Sequence, residues 1–381
     1  MSAHSRYAPS SASRWVPCPG SVEMAALYPE EEEGESAAEG TAAHHYGSET
    51  LLGRAVAVGD MAPNGYLITA EMEQGARLWV QDVQDIAGPL LPMIQVESKI
   101  PIPRIHELCH GTADTWLYDP EAGRLTVWDF KFGHGVVEAF ENWQAMLYVC
   151  GILDLCGIDG HADQHVTVDM RIVQPRAFHR DGRIRSWVCK ASDLRGYFNQ
   201  AHAAAHGTGL RTGGHCLHCP GRHACPALSK AVGACLDYMT ATSAHELPPD
   251  QMGRELTVLR LAQTLIKARL TGAEANVTAK LRAGTRVDGW AFEPTYGRKD
   301  WTVSPEVVAT LGDGLGVELR KPLDVITPTQ AADKGVDAAV ISLYSDSPRT
   351  GVKLVPDNNL LNKARSGFEQ LQKDASQNGS D

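Results

Sequence analysis

The sequence predicts an α/β fold, in which a mixed central sheet is flanked by helices and followed by a C-terminal extension of helices and small strands. Two segments carry this prediction, because Thr112–Tyr118 and Arg124–Phe132 have the apolar patterns that are typical of strands. The residues between them, Asp119–Gly123, have turn chemistry, so the two strands are expected to form a hairpin. After Gly135 the spacing becomes helical, at Val137, Phe140, Gln144, Leu147 and Tyr148, which places Gln144 and Tyr148 on one face.

Three polar residues of this hairpin point to chemistry. Paired positions in an antiparallel hairpin sum to a constant, and a turn centred near residues 121 and 122 places Asp114 opposite Asp129. Lys131 follows two positions later and shares the face of Asp129, whereas Phe130 is expected to point into a core. Two facing carboxylates destabilise a sheet unless a cation offsets them, and their hard oxygens suit Mg²⁺ or Mn²⁺.

The composition is that of a globular protein with room for more than one domain. The 381 residues are 43% hydrophobic, and no apolar run reaches the ~20 residues that a membrane helix needs. The N-terminal residues are polar and unlike a secretory signal, so we expect a cytoplasmic protein without a membrane partner. The net charge of −11, to which the acidic run Glu30–Glu33 contributes, does not favour nucleic-acid binding, although metal-binding acids add to it.

Two helices and a strand are expected before the hairpin. The helices cover Ser36–Leu52 and Glu71–Val83, and the second has an apolar stripe at Met72, Ala76, Trp79 and Val83. The strand Met93–Ile100 follows and contains Glu97. His106 and His110 lie in the loop before the hairpin, where they either support the carboxylates or are ordinary surface groups.

After the hairpin, the sequence again predicts both helices and strands. They are a continuation of the helix over 149 to 156, strands over Val166–Gln174 and Ile184–Val188, a serine-capped helix over Ser192–His206, helical residues over Glu246–Arg282, and two short strands around a turn within Gly289–Val303. In the last segment, Arg298, Lys299 and Trp301 combine charge with a stacking ring, as single-strand binding requires. An anchored surface hairpin explains these residues equally well.

Three of the nine cysteines have the spacing of a metal or cluster site: Cys216, Cys219 and Cys225. Cys18 lies between two prolines that fix its backbone, so it is the candidate for a fourth thiolate. Structural zinc is the alternative, with one local histidine as a ligand: His215, His218 or His223.

The hairpin and helix, written as D…DxK…QxxxY, resemble the core of the PD-(D/E)XK nuclease superfamily, RecB-like branch. The segment Gly40–His44 resembles the GxxxH motif of that branch, in which a helical histidine reaches the metal held by the carboxylates, and this register favours His44 over His45. The proline that loosely precedes the first aspartate in the family is Ala113 here. The resemblance covers residues 14 to 230 and implies a restriction-endonuclease-like core.

The resemblance also implies a role for each motif residue. The expected ligands of Mg²⁺ or Mn²⁺ are His44, Asp114, Asp129 and the Phe130 carbonyl oxygen. Lys131 would position or activate the attacking water, and Gln144 and Tyr148 would orient DNA or the groups behind the ligands. Glu97 is expected to approach the site as an accessory residue.

One early cysteine followed by Cx2Cx5C resembles the four-iron, four-sulfur staple of RecB-like exonucleases and related CRISPR-adaptation nucleases. We therefore expect a [4Fe-4S] cluster, in preference to zinc, on Cys18, Cys216, Cys219 and Cys225. The predicted domains are a nuclease core over residues 1–230 closed by these cysteines, a helical extension and short hairpin over 231–303, a small C-terminal region over 304–374, and a disordered tail over 375–381.

These features together predict a metal-dependent DNA exonuclease that acts on single- or double-stranded DNA ends. The resemblance implies a role in phage DNA recombination or processing, in the host cytoplasm, with a recombination or single-strand-binding protein as a candidate partner. The alternatives are a non-catalytic DNA-binding or assembly subunit that keeps the fold, and a zinc-stabilised nucleic-acid-binding module. An intact carboxylate pair with its lysine favours the enzyme over both.

Overall fold

The computed structural model describes residues 5–28, 34–158, 160–177, 179, 181–241, 247–297, 299–320, 325–346 and 349–356. The chain divides into two compact units, Met1–Gly272 and Ala273–Asp381. The acidic run Glu30–Glu33, Arg298 and the tail over 375–381 lie outside the described residues.

The first unit is built on a five-stranded sheet. Its strands are β1 (Gln95–Pro101), β2 (His110–Asp119), β3 (Arg124–Phe130), β4 (Thr167–Val173) and β5 (Ile184–Lys190), in that spatial order. β3 and β4 run parallel, and the other neighbouring pairs run antiparallel. The predicted α/β class with a mixed central sheet is therefore confirmed.

Helices surround this sheet. They are α1 (Ala12–Trp15), α2 (Ser21–Ala26), α3 (Glu35–Leu51), α4 (Ala70–Ala87), α5 (Trp143–Leu155), α6 (Arg195–Ala205), α7 (Pro226–Ala241) and α8 (Pro249–Arg282), with short 3₁₀ segments at Pro9–Ser11, Gly88–Met93, Asp163–His165, Ala191–Leu194, Gly214–His218 and Pro220–His223. The predicted domain boundary after residue 230 falls inside α7, and α8 ends in the second unit. Within the described parts of the chain, none of the helices combines the length and the apolar character of a membrane-spanning segment.

The sheet is covered on both faces by apolar clusters. On β3, Leu125 and Val127 belong to the cluster that contains α5 and α6 residues, whereas Trp128 and Phe130 belong to the cluster that contains α3 and α4 residues. Successive side chains of a strand point to opposite faces, so this alternation places Asp129 on the α5 face and Phe130 in the α3–α4 core. The expected orientation of Phe130 is confirmed.

The helix predicted after Gly135 begins later than its spacing indicated. Residues 133–142 form an irregular loop, and α5 starts at Trp143, where the Asn142 side chain accepts a hydrogen bond of 3.1 Å from the Ala145 amide. Glu141 has a φ of +53°, which is incompatible with a continuous right-handed helix. The helical spacing of Val137 and Phe140 was thus misleading.

The predicted serine cap near residue 192 is also wrong. Ala191–Leu194 forms a 3₁₀ turn before α6, in which the Asp193 carboxylate accepts a 3.0 Å hydrogen bond from the Lys190 amide. The Leu194 position that precedes α6 has no side-chain cap. An aspartate, whose two oxygens are stronger acceptors than a hydroxyl, therefore closes this turn.

The second unit contains α9 (Pro305–Leu315), α10 (Pro328–Asp333) and α11 (Ala338–Tyr344), with two small sheets. β6 (Trp290–Tyr296) pairs with β9 (Arg349–Pro356), and β7 (Asp300–Trp301) pairs with β8 (Ser345–Asp346). The two strands predicted within Gly289–Val303 exist, but they pair with later strands and do not form a hairpin with each other. Trp301 donates from its indole to the Ile326 carbonyl oxygen (2.7 Å) and packs on an apolar cluster, which supports the anchoring role over base stacking.

Candidate metal centre

The sheet register brings three carboxylates side by side. Glu97 and Asp114 lie between the paired positions Val96–Thr115 and Ser98–Ala113 of β1 and β2. The paired positions of β2 and β3 end at Thr115 and Trp128, and Asp114 and Asp129 are the next residues beyond this last pair. Neighbouring strands lie about 4.8 Å apart, so Glu97, Asp114 and Asp129 form a row across three strands. The predicted opposition of Asp114 and Asp129 agrees with this register.

Helix α3 places His44 beside these carboxylates. Gly47 allows α3 to approach α4, because a Cβ at this position would lie 2.5 Å from the Trp79 ring. Trp79 stacks on Phe130 at 5.1 Å, and the His44 ring meets the same Phe130 ring edge-on at 5.1 Å. The core of the α3–α4 face therefore fixes the orientation of the imidazole.

The imidazole of His44 lies among three oxygen-bearing groups that could share a cation. Nε2 is 2.7 Å from the Phe130 carbonyl oxygen, and Nδ1 is 3.8 Å from Asp114 Oδ2 and 3.9 Å from Glu97 Oε1. Burial lowers the pKa of His44, but Asp114 and Glu97 outweigh it and raise the pKa to about 9. His44 is therefore a cation in the absence of a metal, and it would lose its proton when it binds one.

Asp129 is one of several buried polar groups that lack a hydrogen bond among the described residues. Its side chain is 3% exposed, and neither carboxylate oxygen has a hydrogen bond among the described residues. Lys131 Nζ lies 3.0 Å from Oδ1 as an ion pair, whereas Asp114 Oδ2 accepts a 2.7 Å bond from the Phe130 amide. Burial raises the pKa of both carboxyl groups above the usual value.

Lys131, Gln144 and Tyr148 form a second layer on the α5 face. Lys131 Nζ donates a 3.1 Å hydrogen bond to Gln144 Oε1, and Gln144 in turn hydrogen-bonds Tyr148. Burial lowers the pKa of Lys131, but Asp129 and Asp114 raise it above its usual value, so the amine stays protonated. Gly111 allows the tyrosine to pack closely, since a Cβ there would lie 2.9 Å from the Tyr148 hydroxyl.

These groups fit a hard divalent cation. One ligand atom each from His44, Glu97 and Asp114 lies within 4.8 Å of the others, and the predicted ligand Asp129 is outside this group. Octahedral Mg²⁺ with ligands at about 2.1 Å separates adjacent ligands by about 3 Å and opposite ligands by about 4 Å. The separations of 3.8 and 3.9 Å from His44 Nδ1 to Asp114 and Glu97 fall in that range, and the donors are the oxygen and imidazole types that Mg²⁺ and Mn²⁺ accept.

Glu97 belongs to this site more directly than the sequence indicated. It has a φ of +47° inside β1, a conformation that costs a non-glycine residue about 1 kcal/mol or more. The residue pattern of β1 is that of an ordinary strand with alternating exposure, so nothing in the sequence indicates the positive φ at Glu97. His45 is not part of the ligand group, His106 instead packs on the Tyr7 ring at 4.3 Å, and His110 pairs with Pro101 at the sheet margin.

The four predicted cluster cysteines line one small cavity of about 10 Å³. Cys216 lies in the 3₁₀ turn Gly214–His218, Cys219 lies between the two 3₁₀ turns, and Cys225 directly precedes α7. Cys18 reaches them because the Gly20 amide bonds the Gly209 carbonyl and the Arg211 amide bonds the Cys18 sulfur at 3.3 Å. The structure thus brings a residue of the N-terminal segment to the late cysteine motif.

Of the three histidines considered as zinc ligands, only His215 lines this cavity. Its hydrogen bonds with Cys18 and Cys216 raise the pKa of His215 to about 10. Burial would raise the pKa of Cys18, but His215 and the Arg211 amide bring it below the usual value. His223 instead meets the Tyr28 ring edge-on at 4.3 Å.

A comparison with protein families finds a match over most of the chain. The family model described as "Protein of unknown function (DUF2800)" matches residues 4–335. The match includes both the metal centre and the cysteine cavity.

Proposed function

The chain belongs to the DUF2800 family, whose function is unknown, and from its candidate metal centre we propose a function: metal-dependent hydrolysis of phosphodiester bonds in DNA. The observation that carries this proposal is the buried Asp129 carboxylate, which lacks a hydrogen bond and lies beside Asp114, His44 and Lys131. A protein stabilises such a group poorly by itself, and a divalent cation would offset its charge. The fold proposed for this site is the PD-(D/E)XK restriction-endonuclease-like core.

The proposed ligands are His44, Asp114, Asp129, the Phe130 carbonyl oxygen and Glu97. Bound Mg²⁺ or Mn²⁺ would supply Lewis-acid chemistry, lowering the pKa of water and stabilising charge on the phosphate. The protein fixes the ligands beforehand through the strand register and the stack of aromatic rings behind His44. This rigidity reduces the reorganisation that the reaction would require.

Lys131 is proposed to act as a fixed cation. Its raised pKa keeps the proton on Nζ, so the amine donates a hydrogen bond to an attacking water or to a phosphate oxygen and does not remove a proton itself. Gln144 holds this amine at 3.1 Å, and Tyr148, which is buried, holds Gln144. Tyr148 is thus a positioning residue behind the site.

The cysteine cavity is proposed to bind a [4Fe-4S] cluster. Tetrahedral zinc with bonds of about 2.3 Å would hold its sulfurs about 3.8 Å apart. Among the residues that the structure describes, no three of these cysteines have sulfurs that all lie within 4.8 Å, which supports a wider group. No cysteine lies in the metal centre, so the cluster would serve as a cross-link between the N-terminal segment and the residues before α7.

A cleavage assay on end-labelled linear DNA tests the proposal. The wild type should degrade the DNA with Mg²⁺ or Mn²⁺ and stop with a chelator, while circular DNA should resist if the enzyme is an exonuclease. Lys131→Ala should lose activity, and Lys99→Ala, an exposed lysine of β1, is the matched control that should retain it. DNA binding without cleavage under every metal condition would favour the non-catalytic subunit.

The biological setting is proposed from the family resemblance. It is phage DNA recombination or processing, with a recombination or single-strand-binding protein as the candidate partner. A pull-down from phage-infected cells with the chain as bait tests this setting separately from catalysis.

A further inference from the structure

The loop between β3 and α5 joins the two parts of the candidate metal centre. Residues 133–142 start just after Lys131 and end just before Gln144. This loop exposes a large aromatic side chain, because Phe140 is 63% exposed to solvent.

Two buried polar side chains hold the first half of the loop. Gln174, which is 0% exposed, accepts from the Val137 amide (3.1 Å) and donates to the carbonyls of Gly133 (3.0 Å) and Gly135 (2.6 Å). Arg185, which is 5% exposed, donates to the Val137 carbonyl (2.6 and 3.2 Å) and to Gln174 Oε1 (2.6 Å). These hydrogen bonds from buried side chains therefore fix the backbone of the first half of the loop.

The second half of the loop is held as well. Glu141, directly after Phe140, has a φ of +53° and accepts a 2.5 Å hydrogen bond from the Tyr197 hydroxyl. A non-glycine residue keeps such a conformation only where its surroundings impose it. The loop thus presents Phe140 in a defined position, which distinguishes it from a ring exposed by chance.

Phe140 is one end of a continuous row of rings. It meets Trp187 at 5.0 Å, Trp187 meets Tyr197 at 6.1 Å, and Tyr197 meets Trp143 at 5.7 Å. The last three rings are partly buried and pack against the apolar core of the α5 face, so Phe140 is the freely exposed end of the row. We refer to Phe140, Trp187, Tyr197 and Trp143 as the aromatic row.

The register locates the aromatic row close to the metal centre. Asp129 pairs with Ile172 of β4, and Ile172 pairs with Arg185 of β5. Two strand spacings therefore separate Asp129 from Arg185, or about 10 Å, and Trp187 lies two residues along β5. A strand held at the metal centre would reach the row within a few nucleotides.

We propose that the aromatic row stacks on unpaired bases of the nucleic-acid strand whose backbone lies at the metal centre. Aromatic rings bind unpaired bases whatever their sequence, whereas the bases of a duplex are already stacked on each other. The loop contains no lysine or arginine and has two glutamates, Glu138 and Glu141, so its chemistry suits bases and not phosphates. This inference rests on the proposed function, and it makes a single-stranded end the substrate.

Binding of fluorescein-labelled strands, followed by anisotropy, tests the row. The probes are oligo-dT, an abasic sugar–phosphate strand of equal length, and a blunt duplex, each with the Asp129→Asn protein in Mg²⁺ so that cleavage does not intervene. Oligo-dT should bind more tightly than either other probe. Adding Phe140→Ala should weaken oligo-dT binding about tenfold and leave the abasic strand unchanged.

Val136→Ala is the control, because Val136 is also exposed in the loop and is outside the row. Equal affinity for oligo-dT and the abasic strand, or no effect of Phe140→Ala, would refute the proposed stacking of bases on the aromatic row. If the wild type cleaves DNA, the proposed nuclease function would still stand. Base-dependent binding that requires Phe140, in a wild type that never cleaves, would overturn only the proposed hydrolysis.

Discussion

Replacing Asp129 with asparagine should stabilise the metal-free protein and abolish its response to metal. The variant keeps the shape of the side chain and removes the charge. Burial raises the pKa of Asp129, so folding makes the ionised carboxylate less favourable than it is in the unfolded chain. Asparagine has the same shape without the charge, and the variant should therefore be the more stable protein in a chelator.

The magnitude follows from the surroundings of the carboxylate. Asp129 is 3% exposed and lacks a hydrogen bond, and an unsatisfied buried polar group costs about 1–3 kcal/mol. Loss of the Lys131 ion pair offsets part of this gain, so we expect the free energy of unfolding to rise by about 1 kcal/mol. In metal at a hundred times its Kd, the wild type should gain about 2.7 kcal/mol and the variant much less.

Urea denaturation followed by tryptophan fluorescence, in a chelator and in Mn²⁺, measures both effects. The order of stability should reverse between the two conditions. Asp169→Asn is the matched control, because Asp169 is an equally buried aspartate of the same sheet but pairs with Arg124 and Arg171. Breaking that pair should cost about 3 kcal/mol in both conditions.

Two results would refute this reasoning. An Asp129→Asn protein less stable than the wild type in the chelator would show that the carboxylate serves the fold. A full response of the variant to Mn²⁺ would show that the cation, if bound, is held elsewhere.

Three further predictions concern the other groups. The pKa of His44 is raised to about 9, so its contribution to stability is present below about pH 6.5 and lost as the pH rises through 9. In a chelator, the free energy of unfolding of the wild type should therefore fall by up to about 3 kcal/mol between pH 6 and 10. Denaturation at each pH should show a smaller fall in His44→Gln. Cys219→Ser should give colourless, less stable protein, whereas metal analysis of the wild type should find iron with acid-labile sulfide; zinc would support the alternative, and neither would end the cluster proposal. Gly111→Ala places a methyl group 2.9 Å from the Tyr148 hydroxyl, so it should cost about 1–3 kcal/mol in thermal denaturation and slow cleavage more than it weakens metal binding.

Local patterns determined much of the sheet and of the centre. Turn chemistry at Asp119–Gly123 fixes the hairpin register, and that register alone places Asp114 beside Asp129. The sequence also predicted the apolar stripe of α4 and the strands β4 and β5, because hydrophobic periodicity and turn residues depend on residues close together in the chain. The cysteine spacing identified the cluster candidates for the same reason.

Only the tertiary structure decided which distant segments meet. It brings Glu97 into the ligand group, lets β6 and β7 pair with strands beyond residue 344, and holds residues 133–142 as a loop through Gln174 and Arg185. Helical spacing at Val137 could not reveal this, because the competing hydrogen bonds come from residues on other strands. The sequence by itself therefore determined periodicity, turns and motif spacing. Long-range pairing and burial, which depend on the whole packed chain, decided that Glu97 lies beside His44 and Asp114 and that the four aromatic rings form a row.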